Sequence, residues 1–244
     1  GSGPCGCKAF LAPYLPKTQI SRAADGSYCF SDPQQSIGRV RSFYGNFLVV
    51  VKALTYILSL GASGIREAAE NAVLNANYLR KRLSAAYDIA YDGFCMHEFV
   101  VTLEKMKHET GVSAMDIAKA LLDNGIHPPT MYFPLIVHEA LMIEPTESES
   151  KAELDRFVEV MECIWSEIKE VEEGKASKED NVLKNAPHPE YEVTADEWKH
   201  AYPRTKAAFP LEWLHDSKFW INVARVDNAY GDRNLIPTLC ACEI

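Results

Sequence analysis

Apolar positions along this chain change their spacing several times, and each change marks an element. Residues 1 to about 45 show no period; prolines at 4, 13, 16 and 33 predict irregular structure there. From Phe47 to Leu60 almost every position is apolar, with only Lys52, Thr55 and Ser59 between. That run predicts a buried helix ending near Gly61, shorter than the roughly 20 apolar residues of a bilayer span. A second helix follows, with Ile65, Ala68, Ala69, Ala72, Ala76, Leu79, Leu83 and Ala86 at steps of three and four. Arg80, Lys81 and Arg82 lie near its C-terminal end, where positive charge complements the helix dipole.

The period then shortens. Residues 87–91 and 97–103 read as strands, the second rich in β-branched and aromatic residues. Ser113, with Asp116 three residues on, predicts the capped start of a short helix striped by Met115, Ala118, Leu121 and Leu122 and ended by Gly125. Pro128, Pro129 and Pro134 exclude a helix in the next segment, and residues 140–143 read as a further strand. Thr146 and Glu149 form a capping-box pattern before the clearest helix, whose stripe runs Leu154, Phe157, Val158, Met161, Ile164, Trp165, Ile168 and Val171 to Gly174. The predicted order from residue 47 is helix, helix, strand, strand, helix, strand, helix. It implies an α/β or α+β fold with helices packed on a small, mainly antiparallel sheet. Residues 175–202 are polar and predict a linker or surface-wrapping arm, and the aromatic residues between 207 and 235 require something to pack on.

Composition narrows the function classes. Apolar residues make up 47% and charged residues 24% of the 244, as in ordinary globular domains. A net charge of -9 disfavours a nucleic-acid partner, and no membrane partner is expected. The seven cysteines include two close pairs, Cys5/Cys7 and Cys240/Cys242, whose spacing suits a zinc site poorly. Free thiols in a reducing compartment are the simpler expectation, although pairing between the chain ends stays open.

The segment His127-Pro-Pro-Thr-Met-Tyr-Phe-Pro-Leu-Ile-Val-His-Glu-Ala-Leu-Met-Ile-Glu-Pro-Thr-Glu147 resembles the C-terminal region of the P-protein family of the glycine cleavage system, the pyridoxal-phosphate (PLP) glycine dehydrogenases (decarboxylating). Residues 1–16, 36–46, 72–78, 97–99 and 116–119 resemble the same family in order along the chain. Phe219-Trp220, residues 224–227 and Tyr230-Gly-Asp232 resemble the C-terminal arm of its fused, single-chain form. The resemblance implies a fold-type-I (aspartate-aminotransferase-like) PLP enzyme. Residues 1–60 would close its large cofactor domain, 61–174 would form its small C-terminal domain, and 175–244 an arm wrapping the domain or a dimer. It also implies an oxidoreductase that decarboxylates glycine on PLP and passes the aminomethyl group to the lipoyl arm of a partner H-protein. The family's cofactor lysine sits in a His-Lys motif that this chain lacks. The expectation is therefore that the lysine lies upstream, that the chain is inactive alone, and that it works with the upstream half in a homodimer. A bacterial cytoplasm is the expected location, with the mitochondrial matrix as alternative.

Candidate site residues follow from these segments. Ser42, Tyr44, Gly45 and Asn46 precede the apolar helix, where unpaired N–H groups and hydroxyls suit a cofactor phosphate; the simpler role for Ser42 or Asn46 is a helix cap. Arg41 carries a guanidinium able to grip a carboxylate with two parallel bonds. His127 and Thr130 flank two prolines in a rigid loop and are candidates for holding the glycine carboxylate or shaping the lipoyl entry; a histidine there can also simply satisfy backbone groups. No catalytic residue and no metal ligand is assigned. Another fold-type-I PLP decarboxylase or aminotransferase, or a non-catalytic docking module of that fold, remains the alternative.

Overall fold

The computed structural model describes residues 2–235, and Cys240 and Cys242 lie outside them. The chain divides into two compact units, residues 1–66 and 67–244.

The first unit begins with a short 3-10 helix, Ala9–Tyr14, and a hairpin of β1 (Gln19–Arg22) and β2 (Tyr28–Ser31), in register from Gln19↔Ser31 to Arg22↔Tyr28. The expectation of irregular structure here missed the hairpin. Its readable signal was Asp25-Gly26: the glycine adopts φ 88°, and the Asp25 carboxylate accepts from the Ser27 N–H and hydroxyl. Helix α1 then runs Phe47–Leu83, broken at Gly61, whose φ of 63° and ψ of -174° are not helical. The predicted end of the first apolar helix is therefore where the path changes.

Among the described residues nothing covers the apolar run that reads as a buried helix. Residues 47–59 are all exposed, Phe47 and Leu48 each by more than three quarters of their surface. No described residue from 2 to 66 is buried at all, so this unit contains no core of its own. An 18-residue window of α1 is apolar enough, with mean hydropathy 1.8, to cross a membrane by length and composition. The break at Gly61 argues against that use: Phe47–Leu60 at 1.5 Å per residue covers about 21 Å, short of the ~30 Å hydrocarbon layer.

The second unit holds the core. Four strands, β3 (Asp88–Ile89), β4 (Phe99–Thr102), β5 (Thr130–Met131) and β6 (Ala140–Ile143), form a sheet in the order β3-β4-β6-β5, every pair antiparallel. Three helices contribute to the layer beside it: α2 (Glu104–Thr110), α3 (Ala114–Asp123) and α4 (Lys151–Glu172). Leu79 and Leu83 of α1, Ile117 and Leu121 of α3, and Met161 and Ile164 of α4 meet Val101 and Leu141 of the sheet with 2% exposure or less. Helices on a small antiparallel sheet is the layer arrangement that the hydrophobic spacing implied.

Local chemistry explains the helix boundaries. Ser113 and Asp116 form the expected reciprocal cap of α3. Thr146 does not cap α4; Ser150 does, its hydroxyl accepting from the Glu153 N–H, whereas Thr146 sits at φ 62°, five residues before the first helical residue. α2 was not anticipated: its seven residues carry only Met106 as a large apolar side chain, too little for a period. Gly111, at φ 80°, closes it.

The chain beyond α4 forms short helices, α5 (Val182–Asn185), α6 (Glu190–Val193), α7 (Arg204–Ala208), α8 (Leu214–Ser217) and α9 (Asn228–Arg233). Leu183 and Ala186 enter the main core. The segment is therefore docked by burial as well as by the polar bonds described below.

Candidate functional site

The segment that carries the resemblance forms one wall of a cleft, and its prolines explain why the cleft exists. β5 pairs with β6 through Thr130↔Met142 and Met131↔Leu141. Continuing that register would set Pro129 and Pro128 opposite Ile143 and Glu144, but proline has no N–H to donate to a ladder. The ladder stops at Thr130 and the two chains part. Between them opens a cleft of about 500 Å³, with His127 and Thr130 on one side and Glu144 and Thr146 on the other. Leu79 of α1 and Phe157 of α4 contribute apolar surface.

His127 and Thr130 are thus brought together, both exposed at the rim. The His127 side chain makes no hydrogen bond among the described residues, so its fold-supporting role is small. The charged side chains lining the cleft are Glu144, Glu149 and Glu153; no lysine or arginine lines it among the described residues. Glu153 is paired with Arg156 at 2.8 Å, and Glu144 lies 3.9 Å from His97 Nε2. His97 also stands 4.0 Å from Glu98, so this pair belongs to the neighbourhood of the lip. Electrostatically the cleft favours the cationic end of a zwitterion over its carboxylate, unless a cation comes from elsewhere.

The other candidates lie in the first unit. Arg41 Nη2 donates to the Thr18 carbonyl at 2.6 Å, and its guanidinium lies 5.0 Å from the Tyr44 ring centre. Tyr44 in turn stacks on Phe30 with centroids 5.7 Å apart. Gly45 turns the chain at φ 111°, and a Cβ there would come within 2.3 Å of Ser2 Oγ. The Asn46 N–H donates to that same hydroxyl at 3.3 Å. The Asn46 carbonyl accepts from the N–H groups of Val49 and Val50, which makes it the cap position of α1. Ser42 is exposed.

Two buried polar clusters escaped the sequence reading. His188, fully buried, donates its backbone N–H to Asp123 Oδ1, while its ring nitrogens contact Asp123 Oδ2 at 2.7 Å and the Tyr202 hydroxyl at 2.8 Å. Burial pushes the Tyr202 phenol well above its usual range. Asp116, 1% exposed, accepts from Ser113, from Lys184 at 2.7 Å and from Arg225. Burial alone would raise its carboxyl, but those bonds outweigh it and hold it below the ordinary range. Apart from the Ser113 cap, the partners are 14 to 109 residues apart, so no local spacing could reveal them. Both clusters tie the C-terminal segment to α3 and have no opening to the cleft's lining. Among the described residues no group of three or more His, Cys, Asp or Glu is arranged for a metal, and Cys5, Cys7, Cys29, Cys95 and Cys163 are free thiols.

Comparison with known proteins bears on the identity. Residues 68–188 match the family described as glycine dehydrogenase, C-terminal domain. A glycine dehydrogenase (decarboxylating) of Bacteroides fragilis is 48% identical over 245 aligned residues, covering 99% of this chain. The chain belongs to the glycine dehydrogenase family. A probable glycine dehydrogenase (decarboxylating) subunit 2 of Treponema denticola is 65% identical over 162 residues, 66% of the chain and 33% of that protein. The mitochondrial glycine dehydrogenase (decarboxylating) A of Flaveria pringlei is 46% identical over 243 residues. The chain spans about a quarter, 24%, of the Bacteroides relative's length. A crystal structure of an inhibitor-bound glycine decarboxylase (P-protein) aligns over 67% of the chain with 20% identity and a TM-score of 0.49.

Proposed function

We propose that this chain is the C-terminal portion of a PLP-dependent glycine decarboxylase, an oxidoreductase of the glycine cleavage system. The observation that carries this reading is identity of 48% extending over 99% of the chain. The relatives' greater length supports an upstream part that brings the cofactor lysine, and the coreless first unit supports it physically. Residues 2–66 expose Phe47, Leu48, Tyr28, Phe30 and Ile37 by more than half their surface each, an area that ordinary domains cover. The upstream part is the occupant this reading assigns to that surface. Bacterial cytoplasm is the location we favour from the bacterial relatives, with the plant mitochondrial relative supporting the matrix as the alternative.

The first unit's turn fits an anionic group. Gly45 leaves the turn without a side chain, and the N–H groups of Phe47 and Leu48 open a helix, where phosphate is favoured. In this reading Ser42, Tyr44, Gly45 and Asn46 hold the PLP phosphate, and Arg41, oriented by Thr18 and Tyr44, takes the glycine carboxylate. When bound there, PLP would supply an electron-accepting ring for the decarboxylation of glycine. The chain's own residues bind and orient. At the cleft, His127 offers a ring nitrogen free of internal bonds, Thr130 offers a hydroxyl, and Glu144 attracts an amine. This division assigns His127 and Thr130 to substrate binding or to shaping entry for the lipoyl arm of H-protein, within a homodimer.

The test uses the complete protein with its upstream part: glycine-dependent exchange of labelled bicarbonate into the glycine carboxyl. Exchange that needs PLP and falls at least tenfold (about 1.4 kcal/mol) in His127→Ala, with unchanged melting temperature, is the expected result. Absence of exchange with glycine, or exchange with another amino acid instead, would turn the reading to a different PLP enzyme. Failure of the complete protein to bind PLP would leave a docking module.

A further inference from the structure

The backbone is strained at specific points. Three non-glycine residues among those described have positive φ: Tyr132 at 61°, Glu139 at 50° and Thr146 at 62°. Thr146 lines the cleft; Tyr132 and Glu139 lie away from it, on the connection between β5 and β6. Thr146 is the most telling, because a β-branched side chain crowds its own backbone in the left-handed region. Such a conformation persists only where surrounding bonds impose it.

The bonds that impose it are few. The Thr146 hydroxyl accepts from the Ser148 N–H at 3.3 Å and meets the Ser148 hydroxyl at 2.8 Å, a local turn that moves with the loop. The bond that ties Thr146 to the rest of its unit comes from α1: Asn75 Nδ2 donates to the Thr146 carbonyl at 2.9 Å. A longer approach, 3.5 Å, reaches the Glu149 carbonyl from the same nitrogen. Among the described residues the Asn75 side chain makes no bond within its own helix, unlike that of Asn77, which donates back to the Val73 carbonyl at 2.8 Å. Its amide serves the lip.

We infer that Asn75 is the positioning residue of the cleft: it holds Thr146 in its left-handed conformation and so sets the lip that faces His127. Thr146 lies between the end of β6 at Ile143 and the start of α4 at Lys151, directly after Glu144 and Pro145, so the bond to its carbonyl fixes this connection to α1 beside them. Losing the amide frees Thr146 to relax to negative φ and swings the lip relative to the proline-stiffened loop opposite. Asn75 touches no ligand in this account. Its effect on substrate rests on the reading of the cleft proposed above, whereas its effect on the lip does not.

The experiment combines Asn75→Ala, Thr146→Gly and the double substitution. Glycine accepts positive φ without strain, so it removes the need for the amide. Amide hydrogen exchange on the chain is expected to show residues 146–149 exchanging about tenfold faster in Asn75→Ala, with β4 and β6 unchanged. The same substitution in the Thr146→Gly background is expected to change them far less. In the complete protein, Asn75→Ala is expected to raise KM for glycine several-fold with kcat little altered, and Thr146→Gly to remove most of that rise. Unchanged exchange at 146–149, faster exchange across the whole sheet, or strictly additive effects of the two substitutions would overturn the positioning role. The expected exchange pattern with an unmoved KM would uphold Asn75 as the lip's anchor and sink the assignment of the cleft to glycine.

Discussion

Replacing Asp116 with alanine tests whether the C-terminal segment is held by a buried charge cluster. The carboxylate is 1% exposed and takes bonds from Ser113, Lys184 and Arg225, linking the start of α3 to α5 and to the chain beyond α8. Removing one member of a buried ion pair costs about 3–5 kcal/mol. Here the lower end applies, because the cations keep other partners: Lys184 donates to the Gly111 carbonyl, and Arg225 to those of Ala186 and Leu183. Both also retain more than a quarter of their side-chain surface in water, at 29% and 28%. Loss of the reciprocal cap adds about 1 kcal/mol. The total, about 4 kcal/mol, is a large part of a usual stability of roughly 5–15 kcal/mol. It corresponds to a fall of about 8–16 °C in Tm for a unit of this size. The assay is thermal and urea unfolding followed by tryptophan fluorescence, with Asp116→Asn, Arg225→Ala and the Asp116/Arg225 double variant alongside. Coupling between the two sites of about 1–3 kcal/mol is expected. A loss below about 1 kcal/mol for Asp116→Ala, well under the range for a buried pair, or additive behaviour with Arg225→Ala, would refute the claim that the cluster anchors the segment.

The same cluster sets a pH dependence. Because the Asp116 carboxyl is held below its usual range when folded, its contribution is fully present above pH ~4 and is lost as pH falls through the folded value. Urea titrations from pH 7 down to 3 should therefore show a shallower acid loss in Asp116→Ala than in the parent chain. Ser150→Ala, which removes the cap of α4, should cost about 1 kcal/mol. Leu141→Ala, at a fully buried position of the central strand β6, should cost about 2–5 kcal/mol, read as a fall in the urea midpoint. The chain alone should bind a hydrophobic dye through residues 47–59, and addition of the upstream part should abolish that signal.

What was legible in the chain followed from short-range rules. Caps at Ser113, stripes on α1, α3 and α4, and the β-branched run at 99–102 each depend on residues within a few positions of one another. The shift of the α4 cap from Thr146 to Ser150 shows the limit of such rules. Both positions offer a hydroxyl three residues before an acid, and only the strained turn at Thr146 separates them. The hairpin at Asp25-Gly26 was written plainly and hidden by the surrounding prolines. α2 carried no period because its burial is slight.

The candidate site divides in the same way. Pro128 and Pro129 announced a rigid, non-helical loop, and His127 and Thr130 could be chosen from it directly. Their partners across the cleft could not, since Asn75 meets Thr146 from 71 residues away. The acidic lining and the Asp123–His188–Tyr202 network are likewise products of packing. By itself the sequence determined the long helices, the strands β3, β4 and β6, the antiparallel layer and the family, because periodicity, capping and motif identity are local properties of the chain. Tertiary structure alone decided that the cleft is acidic and that Asp116 and Asn75 hold distant segments in place. Burial and long-range bonding depend on where the chain returns in space.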